Sequence, residues 1–176
     1  MAKGSTAVLR NGIHAIPWFA LALVVILLDQ YTKMLATSSL DYAQPVSVFW
    51  WFNLTLHHNT GAAFSFLSDA GGWQRYFFAV LAGCISIALA IWLAVMPRGQ
   101  RLLALSLGLI LGGALGNLWD RMALGYVVDF ISVHYENNYF PTFNIADSAI
   151  SVGAACMLLD SFLHRDKPAV GIRKLD

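Results

Sequence analysis

Two carboxylic acids, Asp129 and Asp147, stand in the apolar stretches YVVDFI and FNIADSAI, with no Lys or Arg between Arg121 and Arg165 to neutralise them. Carboxyl groups brought together in a site of low dielectric do not both ionise: one keeps its proton and the other stays charged. Such a pair can activate water through its charged member and polarise a carbonyl through its protonated one. A polar network without chemistry, or a proton relay, would use the same residues, and the local sequence leaves these readings open. Asn144 lies three residues before Asp147 and Ser151 four after it, on one helical face. Asn144 suits a helix N-cap, a role compatible with orienting a carboxylate.

Other ionisable and polar residues sit where apolar ones are expected. Asp29 and Lys33 are four apart, acid first, which places them on one helix face as an ion pair. Two uses fit that spacing: holding the end of the helix or positioning a substrate. Ala104, Gly108, Gly112 and Gly116 form a small-residue stripe that lets a neighbouring helix backbone approach closely. The stripe leads to Asp120, with Asn117 and Arg121 beside it, and such a polar knot could clamp the segments that follow. Asn59, ahead of Gly61, reads locally as a turn residue, with a substrate clamp as the alternative. No HExxH, GxSxG or Gly-rich phosphate loop is present, so no metal or cofactor is expected. Cys84 and Cys156 lie inside apolar runs without metal-ligand or CxxC spacing and read as small apolar residues.

The elements that must position these groups are membrane spans. Of the 176 residues, 58% are apolar and 12% charged, against about 25% charged in soluble domains. That excludes a disordered chain, a collagen-like chain and a basic nucleic-acid-binding domain. About 20 mostly apolar residues cross a bilayer as a helix, and four segments reach that length, at about 13–36, 73–96, 101–121 and 144–163. The fold class expected is therefore a membrane all-α protein, a four-transmembrane-helix bundle forming a single domain over residues 1–176. Lys3, Arg10, Arg98, Arg101, Arg165, Lys167, Arg173 and Lys174, eight of the eleven basic residues, fall on one side. By the positive-inside rule that side is cytoplasmic, with both termini inside. The run 15–28 also has the length of a signal-peptide core, but Asp29 and Lys33 in the next turn argue that it is retained. Asp29, Asp120, Asp129 and Asp147 gather near the outer face and only Asp160 approaches the inner one. A transporter relay would spread its acids across the membrane depth.

Two outer loops, about 37–72 and 122–143, complete the chain. Phe52, Leu54 and Leu56 alternate with Asn53, Thr55 and His57, the period of a strand with one apolar face. Trp50 and Trp51 suit the headgroup region, so a small extracytoplasmic β-rich loop domain resting on the membrane is expected. The second loop, with Tyr126, Phe130, His134, Tyr135, Tyr139, Phe140 and Phe143, is expected to contact the interface or cover a site.

Five blocks, LDQYTK (28–33), NTGAAFSF (59–66), GGALGNLWDR (112–121), YVVDFI (126–131) and FNIADSAI (143–150), occur in an order and spacing that resemble the lipoprotein signal peptidases, the type II signal peptidases of bacteria, over roughly residues 16–163. The resemblance implies an intramembrane aspartyl endopeptidase that removes signal peptides from prolipoproteins, cleaving before a diacylglyceryl-modified cysteine. It implies Asp129 and Asp147 as the catalytic pair. Asp29, Lys33, Asn59, Gly113, Asn117, Asp120, Arg121 and Asn144 are implied as substrate-binding or supporting residues. It further implies a multi-pass protein of the bacterial inner membrane with its site near the periplasmic face, in contact with membrane lipid. Its partners would be lipidated prolipoproteins and globomycin-type cyclic peptide inhibitors, not nucleic acid. No cofactor is implied, and a monomer is expected.

Overall fold

In the computed structural model the described residues are 3–61 and 73–164. Four long apolar helices and one small antiparallel sheet make up this part of the chain. The helices are α1 (Lys3–Ser39), α2 (Gln74–Val95), α3 (Arg101–Ala123) and α4 (Ile145–Leu163). The strands are β1 (Val46–Phe49), β2 (Phe52–Asn59), β3 (Val127–Tyr135) and β4 (Asn138–Tyr139), in the spatial order β1-β2-β3-β4. Residues 62–66 of the NTGAAFSF block, and Arg165, Lys167, Arg173 and Lys174, lie outside the described residues.

Local chemistry sets the helix ends. Met96 precedes Pro97 and takes an extended backbone (φ −64°, ψ 138°), because the proline ring clashes with a helical residue before it; α2 stops there. At the end of α3 the N–H groups of Leu124 and Gly125 both donate to the Asp120 carbonyl. Gly125 reaches the φ of +89° that this turn needs. Asn144 caps α4 in a capping box with Asp147, as its sequence position leads one to expect.

α3 is the central helix. Its most apolar stretch is 56% buried, against 17–22% for the corresponding stretches of the other three. Large apolar side chains elsewhere, such as Leu27, Val80 and Leu158, are exposed at 60% or more. That surface fits lipid rather than water. The small-residue stripe of α3 faces α1: a Cβ added at Gly108 would lie 2.9 Å from the Trp18 carbonyl oxygen, and one at Gly112 would lie 2.7 Å from that of Ala22. Gly113 does the same towards α4, against the Ala146 carbonyl oxygen, with Ile150 Cγ1 at 2.8 Å. Ala15, Ala22, Leu93, Met96, Ala104, Leu107 and Leu111 form the apolar core of the opposite half of the bundle.

The sheet differs from the sequence reading in two ways. The second outer segment is not only a covering loop. It supplies β3, which pairs with β2 from Phe52↔Val133 to Asn59↔Val127. The β2 side chains that bury against the protein are the polar Asn53 and Thr55, while Phe52 and Leu54 are only half-buried. A register shift between Leu54 and His57 then resets the alternation, so that Leu56 is buried next to Thr55. β1 stays exposed throughout, and Trp50 and Trp51 project from its turn.

The helix contacts yield a packing prediction. Gly112→Val should lower resistance to thermal or detergent unfolding by about 1–3 kcal/mol, because its Cβ meets the α1 backbone and overpacking of a close contact typically costs that much. Gly83→Ala, with nothing within 4 Å of the new methyl, should leave stability unchanged or raise it slightly. Unfolding curves of the two variants in one detergent check both.

Candidate active site

The site is assembled at the end of the bundle where α1 and α3 finish and α4 begins. Its base is Lys33 of α1, 3% exposed. Its ammonium group contacts Asp29 Oδ2 at 2.8 Å, Asp120 Oδ2 at 2.9 Å and Asn117 Oδ1 at 2.9 Å. Three acceptors thus meet the three donors of a lysine, and a buried charge is tolerated only when so satisfied. The i, i+4 pair read from sequence is present, and it is part of a larger network. Asp29 Oδ1 also accepts from the Ala146 N–H at 2.9 Å, which ties α1 to the first turn of α4. Asp120 Oδ2 also accepts from the Val128 N–H at 3.1 Å, which fixes β3 one residue before Asp129.

Gln30 is not singled out by sequence spacing, yet it belongs to this network. Its amide donates to Asp29 Oδ2, to Asp120 Oδ1 and to the Gly116 carbonyl at 2.9–3.2 Å. The available signal is a polar amide at membrane depth beside Asp29, which demands a partner. Arg121 departs from the polar knot. It does not pair with Asp120, whose cation is Lys33. Arg121 turns the other way and donates to the Gly61 carbonyl at 3.1 Å and the Asn117 carbonyl at 3.3 Å, with its guanidinium over the Phe78 ring.

Above this base lie the two carboxyl groups, and Asn144 joins them. Its side-chain amide donates to Asp129 Oδ1 at 2.8 Å, its side-chain oxygen accepts from the Asp147 N–H at 2.9 Å, and its own N–H donates to Asp147 Oδ2 at 3.3 Å. Asn117 donates to Asp147 Oδ1 at 2.8 Å while its oxygen accepts from Lys33 and from Asn144. Asn59 donates to Asp129 Oδ2 at 3.1 Å and accepts from the Gly61 N–H at 3.0 Å. It is therefore a turn residue and a carboxyl partner at once. Gly113 touches none of these groups; it lets α3 and α4 approach closely enough for them to meet.

Asp129 is 2% exposed. Burial, followed by the nearby Asp147 carboxyl, pushes its pKa up to about 7, against the opposing pull of Asn59, Lys33 and Asn144. Such a group exchanges its proton in the neutral range.

Two cavities adjoin the pair. One of about 590 Å³ is lined by Asp147, Arg121, Asn117, Phe143, Ile150 and Ser151 and is mostly apolar. The other, about 580 Å³, is lined by Asp129, His57, His58, Tyr42, Ser132 and Tyr139 and is as polar as it is apolar. Asn59 and the Phe140–Thr142 segment line both. His57 Nδ1 lies 3.0 Å from Thr142 Oγ1 and holds that segment to β2.

The sequence profile of a family described as Signal peptidase (SPase) II matches residues 21–163. A lipoprotein signal peptidase of Acinetobacter baumannii is 56% identical over 156 residues, covering 88% of this chain and 89% of that protein. One of Pseudomonas aeruginosa is 52% identical over 149 residues, covering 84% and 88%. Two solved structures described as bacterial membrane enzymes superpose with TM-scores of 0.76 and 0.72, at 29% and 31% identity, covering 91% and 86% of this chain and 94% of each of theirs. With most of its length matched by the profile and relatives above half identity, the chain belongs to the signal peptidase II family.

Proposed function

We propose that Asp129 and Asp147 are the catalytic pair of this enzyme, and that Asp29, Lys33, Asn59, Gly113, Asn117, Asp120, Arg121 and Asn144 position them and the substrate. Family membership makes the protein a membrane protease that removes signal peptides from prolipoproteins, and the cut, on our reading, falls before the lipidated cysteine. The observation that carries the assignment of residues is the bridge at Asn144: one side chain touches both Asp129 and Asp147, and each of those two lines a cavity.

The chemistry follows from a pair that shares one proton. The charged carboxylate takes a proton from a water molecule as that water attacks the scissile carbonyl. The protonated carboxyl donates to the carbonyl oxygen as it gains charge. Collapse of the tetrahedral intermediate breaks the C–N bond, and the amine leaves with the proton taken from water. The pair is regenerated with its single proton, and no covalent enzyme intermediate forms. The mostly apolar cavity beside Asp147 suits the signal helix, entering sideways from lipid. The diacylglyceryl chains stay in the bilayer.

The wider reading is of one peptidase domain over residues 1–176, acting as a monomer in the bacterial inner membrane. Both termini are cytoplasmic and the carboxyl pair faces the periplasmic side. The basic residues Arg98 and Arg101, at the end of the bundle away from the carboxyl pair, support that orientation by the positive-inside rule. Globomycin-type cyclic peptides would compete for the apolar cavity.

Asp129→Asn and Asp147→Asn, made separately, should each lower cleavage of a lipidated prolipoprotein by at least about a thousandfold, since each removes one half of a coupled proton exchange. Full activity in either folded variant would sink the assignment.

The raised pKa of Asp129 sets a pH dependence. The shared proton is bound below about 7 and lost above it. The ratio kcat/KM should therefore fall on the alkaline side with an apparent pKa near 7 that belongs to the pair, and fall again in acid as the second carboxylate is protonated. A rate that rises steadily from pH 6 to pH 9 would contradict the shared-proton scheme.

A further inference from the structure

At the other end of the bundle, about 28 Å along α1 from Lys33 at ~1.5 Å per residue, lies a cavity unconnected with the carboxyl pair. It has a volume of about 310 Å³, is open on one side and is lined by His14, Ala15, Pro17 and Trp18 of α1, the end of α2, the 97–100 turn and the start of α3. Its floor is apolar, with Ala15, Leu93, Met96 and Ala104 all buried. Its rim is cationic: Arg98 and Arg101 line it, and His14 and Trp18 stand opposite. No acidic residue is among the described residues that line it, and neither arginine forms an ion pair with any described residue. α3 starts on the same rim without a side-chain cap from Gln100; the Arg101 N–H is taken by the Gly99 carbonyl, and the dipole of this 23-residue helix adds to the positive field. Gly99, at φ +98°, lies in the short turn between Arg98 and Arg101, and both arginines line the cavity.

We propose that this cavity binds the phosphate headgroup of an anionic phospholipid. The charges select an anion, and arginine forks match phosphate oxygens. The volume, roughly that of ten waters at ~30 Å³ each, admits a phosphodiester with its polar substituent. The surroundings choose a lipid over free phosphate. The floor is apolar, and Ile16, Trp92 and Val95, on the same turns of α1 and α2, are exposed at 59%, 45% and 53%, where acyl chains can lie. Orientation alone would be served by arginines anywhere in the turn; it does not require them to frame a cavity with an uncapped helix start. The site lies between three helices, so an occupant would brace α1 against the α2–α3 hairpin at the end far from the chemistry.

Native mass spectrometry of the purified full-length protein in detergent tests this, with phosphatidylglycerol, phosphatidylcholine or inorganic phosphate added. The expected result is selective retention of phosphatidylglycerol. Retention should fall at least fivefold in Arg98→Gln/Arg101→Gln and be preserved in Arg98→Lys/Arg101→Lys, which keeps both charges. Phosphatidylglycerol should also raise the unfolding temperature of the parent and of the lysine variant but not of the glutamine variant. Equal retention of the two lipids, undiminished binding by the glutamine variant, or loss of binding in both double variants would overturn the proposal. So would displacement by millimolar inorganic phosphate that itself stays bound, which would make the ligand a free anion.

Discussion

A buried ammonium group organises this protein. Lys33 lies within a helix bundle whose outer surface is apolar, where an unpaired charge would cost several kcal/mol. It is tolerated because α3 brings Asp120 and Asn117 to it while its own helix brings Asp29. That requirement fixes the register and approach of α1 and α3, which the small residues of α3 make sterically possible. The two aspartates then have acceptor capacity left over, and each uses it on a backbone N–H of another element: Ala146 of α4 and Val128 of β3. One cation therefore places the residues immediately before Asp147 and Asp129, although it touches neither carboxyl.

Asn144 shows how a local rule of helix formation serves the site. A helix start needs a side-chain acceptor for its free N–H groups, and Asn meets that need. Its oxygen caps α4, which leaves the amide nitrogen to point away from the helix, towards Asp129. Asp147 completes the capping box by accepting from the Asn144 N–H, so its orientation is fixed by the same motif. Replacement by Asp or Ser would keep a cap but lose the donor to Asp129.

Much of this was legible in the sequence where the information is local. Four apolar runs mark the helices, the spacing of Asp29 and Lys33 marks their pair, and the glycines of α3 mark the close face. Asn144 three residues before Asp147 marks the cap. What was not legible depends on partners distant in the chain. VVDFISVHY is rich in β-branched and aromatic residues, the composition of a buried strand, yet its pairing with β2 is a long-range choice that no local period encodes. The β2 face was legible as alternation but not in direction, because Asn53 and Thr55 bury against the protein while a surface near lipid accommodates the half-exposed Phe52 and Leu54. Arg121 and Gln30 exchanged expected prominence for the same reason. Four residues after Asn117, Arg121 belongs by spacing to the knot, but Lys33 already occupies the acid, and the arginine is left for the Gly61 carbonyl.

The arrangement also explains why scarcity of charge and the presence of a reactive pair go together. Raising a carboxyl from 3.8 to about 7 corresponds to on the order of 4 kcal/mol against full ionisation of Asp129. In a solvated site, water and mobile ions would erase most of that cost, and with it the proton held at neutral pH. Here Lys33 is committed below the pair and Arg121, which lines the cavity beside Asp147, donates to backbone carbonyls, while the described groups that hydrogen-bond the two carboxyls are neutral amides and a backbone N–H. Amides orient a carboxyl without neutralising it as a salt bridge would. Had Lys33 reached Asp129 directly, that carboxyl would be held ionised. Interposing Asn117 and Asn144 keeps the charge close enough to stabilise the assembly and far enough to leave the proton on the pair.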